Sequence, residues 1–236
     1  MAPQDSSRIY RNQLLGALSA GDLALLTPLL TLVDFAIREE LERPNRPIKN
    51  VFFPEVGMVS IVANGARKKK LEVGVIGREG MTGLMVVLGN DRSPYEAYVQ
   101  IAGSARHIAS DDLRSAMQRS PTLAGVFLRY VQAFMIQTSQ TAVCNGSAKL
   151  EERLARWLLM AHDRVDGDDL PLIHDFLALM LGVRRPGVTV AIHSLEQEGL
   201  IRANRGSITV FDRKGLEEVA NASYGVPEAE YKRRMQ

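Results

Sequence analysis

The sequence predicts an α+β protein: an N-terminal antiparallel β-sandwich of the jelly-roll type, a long helix, and a C-terminal winged helix-turn-helix. Short β-branched or aromatic segments, broken by Gly, Pro or Asn, fill residues 44–110 and predict the sandwich. An apolar helical run after Pro121 predicts the long helix, and two short helices before a hairpin pattern predict the last domain. We expect the sandwich domain at residues 8–120, the long helix at 121–145 and the winged helix-turn-helix domain at 148–222.

The composition is that of a globular protein. Of the 236 residues 46% are hydrophobic, and 29 Lys plus Arg against 27 Asp plus Glu give a formal net charge of +2, which excludes a chain that coats nucleic acid by charge alone. The single cysteine, Cys144, excludes an internal disulfide and a four-cysteine iron–sulfur cluster. No run of about 18 apolar residues occurs, so we expect a soluble, cytoplasmic protein without membrane contact.

The N-terminal half begins with a pattern that predicts helices. Residues 8–43 carry leucines at helical spacing, Ser19 is a candidate N-cap, and Pro28 interrupts the second helix. From Pro44 the pattern changes, and segments 48–63, 70–77, 96–103 and 105–110 predict strands. The residues beyond Tyr224 are expected to be loosely ordered.

A long apolar helix is predicted after Pro121. Its apolar residues recur at spacings of three and four and cover more than one stripe of the helix. We therefore expect neighbours on two sides, the helix's own sandwich and the same helix of a second subunit, although burial within one domain is an alternative. Asn145-Gly146 predicts a hinge before a further amphipathic helix at 149–165.

The most informative motif lies at residues 173–197. Helices at 173–181 and 185–197 meet at Gly182, where a helix-turn-helix needs positive φ, and Ala178 is the small residue at their crossing. The apolar positions that fix the angle are Leu177, Leu181, Val183, Val188 and Ala191. The segment EGLIRANRGSITVFD then predicts a strand, a turn at 204–206 and a second strand, which is the pattern of a wing.

The side chains left on the outside of this motif indicate DNA binding. Arg184 and Arg185 lie at the N-terminus of the second helix, the end that enters the major groove, where arginine can bind both O6 and N7 of guanine. Two cations there oppose the helix dipole, a cost that DNA would offset. The other base-reading candidates are Thr189, Val190 and His193, and the backbone-contacting candidates are His174, Arg202, Arg205 and Ser207. Between residues 184 and 214, six basic residues stand against three acidic ones.

This succession of motifs resembles the CRP/FNR family of bacterial transcription regulators. The resemblance covers residues 10–220 and rests on FFPEVGMVSIV, GVIGREGMTGL, ERLARWLL and FLALMLGVRRPGVTVAIHSLEQEGLI. It implies a cyclic-nucleotide-binding-like sensor domain and a homodimer joined along residues 123–141. It also implies double-stranded DNA with a palindromic operator as partner, contact with RNA polymerase, and a small-molecule effector of unknown identity.

The sequence departs from the family at the ligand pocket. Cyclic-nucleotide-binding members carry Gly-Glu and then Arg-Ser, where this chain has Gly80-Met81 and Tyr95-Glu96, and Arg92-Ser93 falls three residues early. We therefore expect no cofactor and no cyclic AMP bound in the usual manner. The degenerate pocket would consist of Gly80, Met81, Thr82, Gly83, Tyr95, Glu96, Thr138 and Ser139. Haem ligation by His107 or His162 and a redox role for Cys144 remain alternatives.

Two other classes of function compete with DNA binding. A module of the cyclic-nucleotide fold whose C-terminal half docks a protein is distinguished by the absence of salt-dependent DNA binding. An enzyme is not expected, because the Gly77, Gly80 and Gly83 run fits neither a P-loop nor a dinucleotide fingerprint. The dyads at 162–163 and 174–175 lack further metal ligands, so no metal site is expected either. The sequence thus predicts a homodimeric, sequence-specific transcription regulator controlled by an unidentified signal. Pro186, where many family members read C with Glu, predicts a different operator.

Overall fold

The computed structural model describes residues 10–65, 70–172 and 174–235. The chain folds as two compact units: Met1–Ile61 with Val75–Met135 and Tyr231–Gln236, and Val62–Gly74 with Ile136–Glu230. An N-terminal antiparallel sheet, a long helix and a C-terminal helix-turn-helix are all present, so the predicted fold class is confirmed.

The first unit opens with two short capped helices, α1 (Gln13–Gly16) and α2 (Ala20–Leu26). The side chain of Asn12 accepts the N–H of Leu15, and Ser19 accepts that of Asp22, as an N-cap does. A 3-10 turn (Thr27–Leu29) ends the helical part. The prediction of helix through residue 43 is wrong, because β1 (Thr31–Phe35) and β2 (Glu40–Glu42) pair with a strand more than 50 residues later.

Five strands form the sheet of the first half of the chain. The remaining three are β3 (Asn50–Asn64), β4 (Lys70–Ile76) and β5 (Glu96–Ala109). Their order is β1-β5-β3-β4, and β2 also pairs with β5. The antiparallel register sets Thr31 opposite His107 and Phe35 opposite Gly103. The short helix α3 (Leu84–Val87) lies between β4 and β5, and α4 (Ser110–Arg119) follows β5.

The core of the first unit forms where helices cover the sheet. The long helix α5 (Pro121–Ser147) contributes Leu123 and Phe127, and the Phe127 ring packs 5.9 Å from that of Phe53, centroid to centroid. The last helix, α10 (Val226–Met235), ends against this core, and the Tyr231 hydroxyl donates a 2.7 Å hydrogen bond to the Glu79 carbonyl. The prediction of a loosely ordered tail is therefore wrong.

A buried carboxylate joins α2 to the start of α5. Asp22 accepts hydrogen bonds from the hydroxyls of Ser19 at 2.8 Å, Ser120 at 2.5 Å and Thr122 at 2.9 Å. Burial acts to raise the pKa of Asp22, but the three hydroxyl donors, Ser120 foremost, hold it below its ordinary value.

The variant Asp22→Asn should lower the free energy of unfolding by roughly 1–3 kcal/mol, because an amide cannot accept all three hydroxyl hydrogen bonds. The pKa of Asp22 is lower in the folded than in the unfolded chain. Its stabilisation is therefore present above about pH 4, the unfolded value, and is lost as the pH falls through the folded pKa. Urea denaturation at several pH values measures this, with exposed Asp112→Asn as control. If the free energy of unfolding of the wild type exceeded that of Asp22→Asn by the same amount down to about pH 2, the assigned pKa shift would be wrong.

The second unit is organised around α6 (Leu150–His162), against which the later helices pack. These are α7 (His174–Leu181), α8 (Arg185–Gln197) and α9 (Arg213–Ala220), with a 3-10 turn at Asn221–Ser223. Strands β6 (Asp169–Leu170), β7 (Ile201–Asn204) and β8 (Ser207–Val210) form a small sheet in the order β6-β8-β7. Within the described ranges, no helix combines the length and apolarity that crossing a bilayer requires.

Candidate nucleic-acid interface

Helices α7 and α8 are joined by a tight turn centred on Gly182. Its φ is +64°, its N–H donates to the carbonyl of Leu179, and the N–H of Val183 donates to that of Ala178 at 3.0 Å. This pair of bonds is the Schellman arrangement that ends a helix on a left-handed residue. The buried faces of Val188 and Leu195 then fix α8 in place. The helices and turn occur where the motif predicts them.

The variant Gly182→Ala should destabilise the second unit. An alanine at φ +64° is strained by about 1–2 kcal/mol, and its Cβ would lie 2.8 Å from Cδ1 of Leu71. We expect a matching loss in the free energy of unfolding, measured by urea denaturation. The control is Gly146→Ala. Gly146 lies within α5, so the predicted hinge at Asn145-Gly146 is wrong, and no atom of the described residues lies within 4 Å of an added Cβ. Equal stability of Gly182→Ala and wild type would show that the turn does not need glycine.

The N-terminus of α8 carries two exposed arginines. Arg184 is the N-cap residue with extended backbone (φ −81°, ψ 145°) and no side-chain capping bond, and Arg185 begins the helix. Pro186 follows in the first turn, where its missing N–H is no loss. No acidic residue lies in this first turn to neutralise the arginines. The end of α8 is thus positively charged through its side chains and through the helix dipole.

The remaining base-reading candidates lie on the outer face of α8. Val190 is 65% exposed, and His193 is exposed with Nδ1 3.3 Å from a carboxylate oxygen of Glu196. The Thr189 hydroxyl instead donates to the carbonyl of Arg185 at 3.2 Å, so it is directed towards the helix backbone. Val190 and His193 are therefore better placed for a base edge than Thr189.

The hairpin after α8 carries two exposed arginines. β7 and β8 are joined by Arg205-Gly206, with Gly206 at φ +88° and both Arg202 and Arg205 exposed, while Ser207 is half-buried. The Arg202 guanidinium lies 5.3 Å from the ring centroid of Phe211, which is itself 59% exposed. Sequence reasoning missed Phe211, although an aromatic residue directly after the second wing strand was the available signal.

Glu196 connects α8 to the wing and was also missed. Its Oε1 accepts the N–H of Ala203 at 2.7 Å, while Oε2 faces His193. One carboxylate thus contacts both the wing and the histidine and links them to α8. The contact joins residues seven apart across a loop, which helical periodicity does not reveal.

The basic residue Arg213 is held by other side chains of the second unit. Arg213 contacts Asp163 at 2.7 Å, the Tyr224 hydroxyl at 2.7 Å and Nδ1 of His162 at 2.9 Å. Burial acts to lower the pKa of Arg213, but the negative charge of Asp163 outweighs burial, so the pKa of Arg213 is raised. Burial and Asp163 together raise the pKa of Tyr224. His162 contacts Asp168 through Nε2 at 2.9 Å, so both its ring nitrogens have partners. The side chain of His174 lies outside the described part of the structure.

The predicted pocket residues of the first unit are packed into its core. The space beside Gly80 is filled by the Tyr130 phenol, and Met81 and Thr82 are fully buried. The N–H of Gly83 donates a 2.7 Å hydrogen bond to the buried carboxylate of Glu42, whose pKa is raised by burial. The Gly83 amide, a donor for any ligand anion, is therefore already used within the protein.

The other predicted pocket residues belong to other segments of the chain. Tyr95 is partly exposed and Glu96 begins β5, while Arg92 contacts Asp91 at 3.5 Å on the surface. Thr138 and Ser139 lie on the part of α5 that belongs to the second unit. A ligand role for these residues stays a prediction. His107, a haem candidate, stacks on Phe52 with ring centroids 5.7 Å apart.

Residues 152–219 match the model of the Crp-like helix-turn-helix domain. The transcriptional regulator SdrP of Thermus thermophilus is 38% identical over 83 residues, which are 33% of this chain and 41% of that protein. The chain therefore spans less than half the length of this relative. The family matched is one of transcription regulators, which are not enzymes, so the prediction that this chain is no enzyme is confirmed.

Solved structures share the fold at low identity. FixK2 from Bradyrhizobium japonicum superposes with a TM-score of 0.71 at 17% identity, covering 82% of this chain and 98% of that one. A CRP/FNR-family regulator from Thermus thermophilus superposes with a TM-score of 0.66 at 22% identity, and the match covers 82% of this chain and 100% of that one. The c-di-GMP-responsive global regulator CLP from Xanthomonas campestris superposes with a TM-score of 0.65 at 18% identity, and the match covers 82% of this chain and 99% of that one. At these identities the likeness concerns the fold.

Proposed function

The chain carries a Crp-like helix-turn-helix domain on the fold of the CRP/FNR regulators, and on that premise we propose that it is a homodimeric, sequence-specific transcription regulator. The resemblance noted in the sequence is thereby confirmed. In the proposed complex, double-stranded DNA with a palindromic operator is the partner, and the proposed place of action is the bacterial cytoplasm.

The observation that carries this proposal is the shape and charge of one exposed surface. Arg184 and Arg185 occupy the end of α8 that enters a major groove in proteins of this fold, with Val190 and His193 on the same outer side. Val190 suits contact with a thymine methyl group, and each arginine suits a guanine. Arg202 and Arg205 on the wing are suited to the phosphate backbone, which sets orientation without reading sequence.

The proposed dimer rests on α5. Leu128 and Met135, seven residues apart, are 47% and 62% exposed, and Ala142 continues the same row. The small or polar residues Gly125, Gln132, Ser139 and Gly146 alternate with them at spacings of three and four, so the row stays on one side of the helix and small side chains there allow a close approach. The opposite side of α5 is buried in its own core, so a second copy on the exposed row would give the helix the two neighbours that its composition predicts.

The proposed sensor is the part of the chain at 8–120, joined by the helix 121–145 to the DNA-binding part at 148–222. An effector there would bias the two α5 helices and thereby the spacing of the two α8 helices, which is a two-state coupling. Contact with RNA polymerase belongs to the same proposal. The occupied Gly83 amide and the packed Met81 support an effector other than an ordinarily bound cyclic nucleotide.

Selection of duplexes from a random pool with the full-length protein tests the function. We expect an enriched palindrome with half-sites about 10 bp apart and an affinity that falls steeply with salt. The selection is repeated with small molecules extracted from cells, in case an effector is obligatory. Failure to enrich any site in both formats would overturn DNA reading and favour a C-terminal half that docks a protein.

A further inference from the structure

A small cavity within the second unit is lined by two arginines of α6. Arg153 and Arg156 face it together with Glu72 of β4, Cys144 of α5 and Trp157. Arg153 donates through Nε to the side chain of Asn145 at 3.1 Å and through Nη2 to the carbonyl of Leu181. The cavity therefore lies where the end of the long helix meets the last turn of α7.

Arg156 is the residue that points to a ligand. It is only 5% exposed, and its Nη2 donates to the Thr141 hydroxyl at 3.1 Å. Its Nε–H makes no hydrogen bond to any residue in the described ranges. Burial lowers the pKa of the Arg156 guanidinium, although Cys144, Glu228 and Glu72 act in the opposite direction. Burying a charged hydrogen-bond donor without an acceptor costs folding free energy, unless a bound group accepts its hydrogen bond.

Positive charge exceeds negative charge around the cavity. Two guanidiniums line it, against one carboxylate, that of Glu72, which accepts a 2.6 Å hydrogen bond from Nε1 of Trp157. Beyond the lining, Glu228 and Arg164 act on Arg156 with opposite signs. Among the described residues an excess of one positive charge remains, so a single negative charge would neutralise the charge that these residues place at the site.

We propose that this cavity binds a small planar anion of single charge, a carboxylate or a nitrogen oxyanion, against Nε of Arg156. A planar guanidinium matches such anions in shape and hydrogen-bond direction. The limited space among the side chains excludes nucleotides and phosphate esters. Because Arg153 already contacts Asn145 and Leu181, an anion beside it would strengthen the link between α5 and the first helix of the DNA-binding motif.

The only tryptophan of the chain, Trp157, lines the cavity and reports on its occupancy. Full-length protein is titrated with sodium formate and, separately, with sodium nitrate. Sodium gluconate, whose anion is too large for the cavity, keeps the ionic strength constant. We expect a saturable change in Trp157 emission and a rise in Tm of about 2–4 °C with at least one of the two anions. Formate alone would identify a carboxylate site, and nitrate alone a nitrogen-oxyanion site.

Three variants make the test specific to Arg156. Arg156→Gln should abolish the saturable response, and Arg156→Lys, which keeps the charge but not the planar donors, should weaken it at least 10-fold. Cys144 lines the same cavity, and the variant Cys144→Ser leaves the number of charged side chains unchanged. This variant should show the same saturable response as the wild type. If Arg156→Gln does not fold, Arg156→Lys decides. No saturable response to either anion, or an unchanged response in Arg156→Lys, would overturn the proposal and leave water as the occupant.

Discussion

The double variant Arg184→Ala/Arg185→Ala is expected to lose selective DNA binding while keeping its fold. A bidentate arginine–guanine contact contributes about 1–3 kcal/mol of discrimination, or roughly 5- to 150-fold in affinity for each arginine. Both side chains are exposed and neither caps α8, so their removal should leave Tm unchanged or slightly raised. The measurement is a titration of the selected operator and of a scrambled duplex at fixed salt.

Charge alone has to be separated from base reading in that experiment. Arg43→Ala/Arg46→Ala removes the same two charges from exposed positions in the first unit and should leave operator affinity within about 2-fold of wild type. Arg202→Ala/Arg205→Ala on the wing should weaken operator and scrambled DNA alike and reduce the salt slope by about one for each lost phosphate contact. If the Arg184/Arg185 variant weakened both duplexes equally, these arginines would be backbone contacts and the base-reading assignment would be wrong.

The second large effect is expected at the exposed row of α5. Leu128→Glu/Met135→Glu should convert the dimer into a monomer, because it sets like charges against each other along the proposed seam. Operator affinity should then fall at least 100-fold, since the two half-sites no longer bind as one unit. Sedimentation velocity measures the oligomeric state, and the same operator titration measures the consequence.

An exposed apolar residue outside α5 provides the control for this variant. Leu32 on β1 is 53% exposed, and Leu32→Glu should remain dimeric and bind the operator as wild type does. A wild-type chain that sediments as a monomer, or a Leu128/Met135 variant that remains dimeric, would remove α5 as the seam. The DNA-reading proposal for one α8 helix would still stand on its own test.

The helix-turn-helix was predictable because its rules are local. Gly182 provides the left-handed turn, Ala178 is the small residue at the helix crossing, and the buried Val188 fixes α8 in place. All three lie within eleven residues of the chain. The wing follows from alternation of apolar residues around Arg205-Gly206. The positions of Arg184 and Arg185 at the start of α8 follow in turn from the position of Gly182.

The errors occurred where distant residues decide the structure. Residues 31–42 have enough leucine and glutamate to predict helix, but their backbone hydrogen bonds are made with β5, which sequence spacing does not reveal. The charged tail after Tyr224 predicts disorder, yet Tyr231 reaches the Glu79 carbonyl from 152 residues away. Propensity is a weak guide when packing against remote segments contributes the larger free energy.

The two helices of the DNA-reading motif, its wing and its exposed arginines follow from the amino-acid sequence, since each depends on neighbours within one turn or one hairpin. Three contacts instead depend on the folded arrangement: Glu42 accepts the Gly83 amide, Glu196 accepts the N–H of Ala203 in the wing, and Arg156 is buried beside Trp157 and Cys144. These features depend on which segments the fold brings together, because hydrogen bonds and burial act over a few ångströms irrespective of separation along the chain.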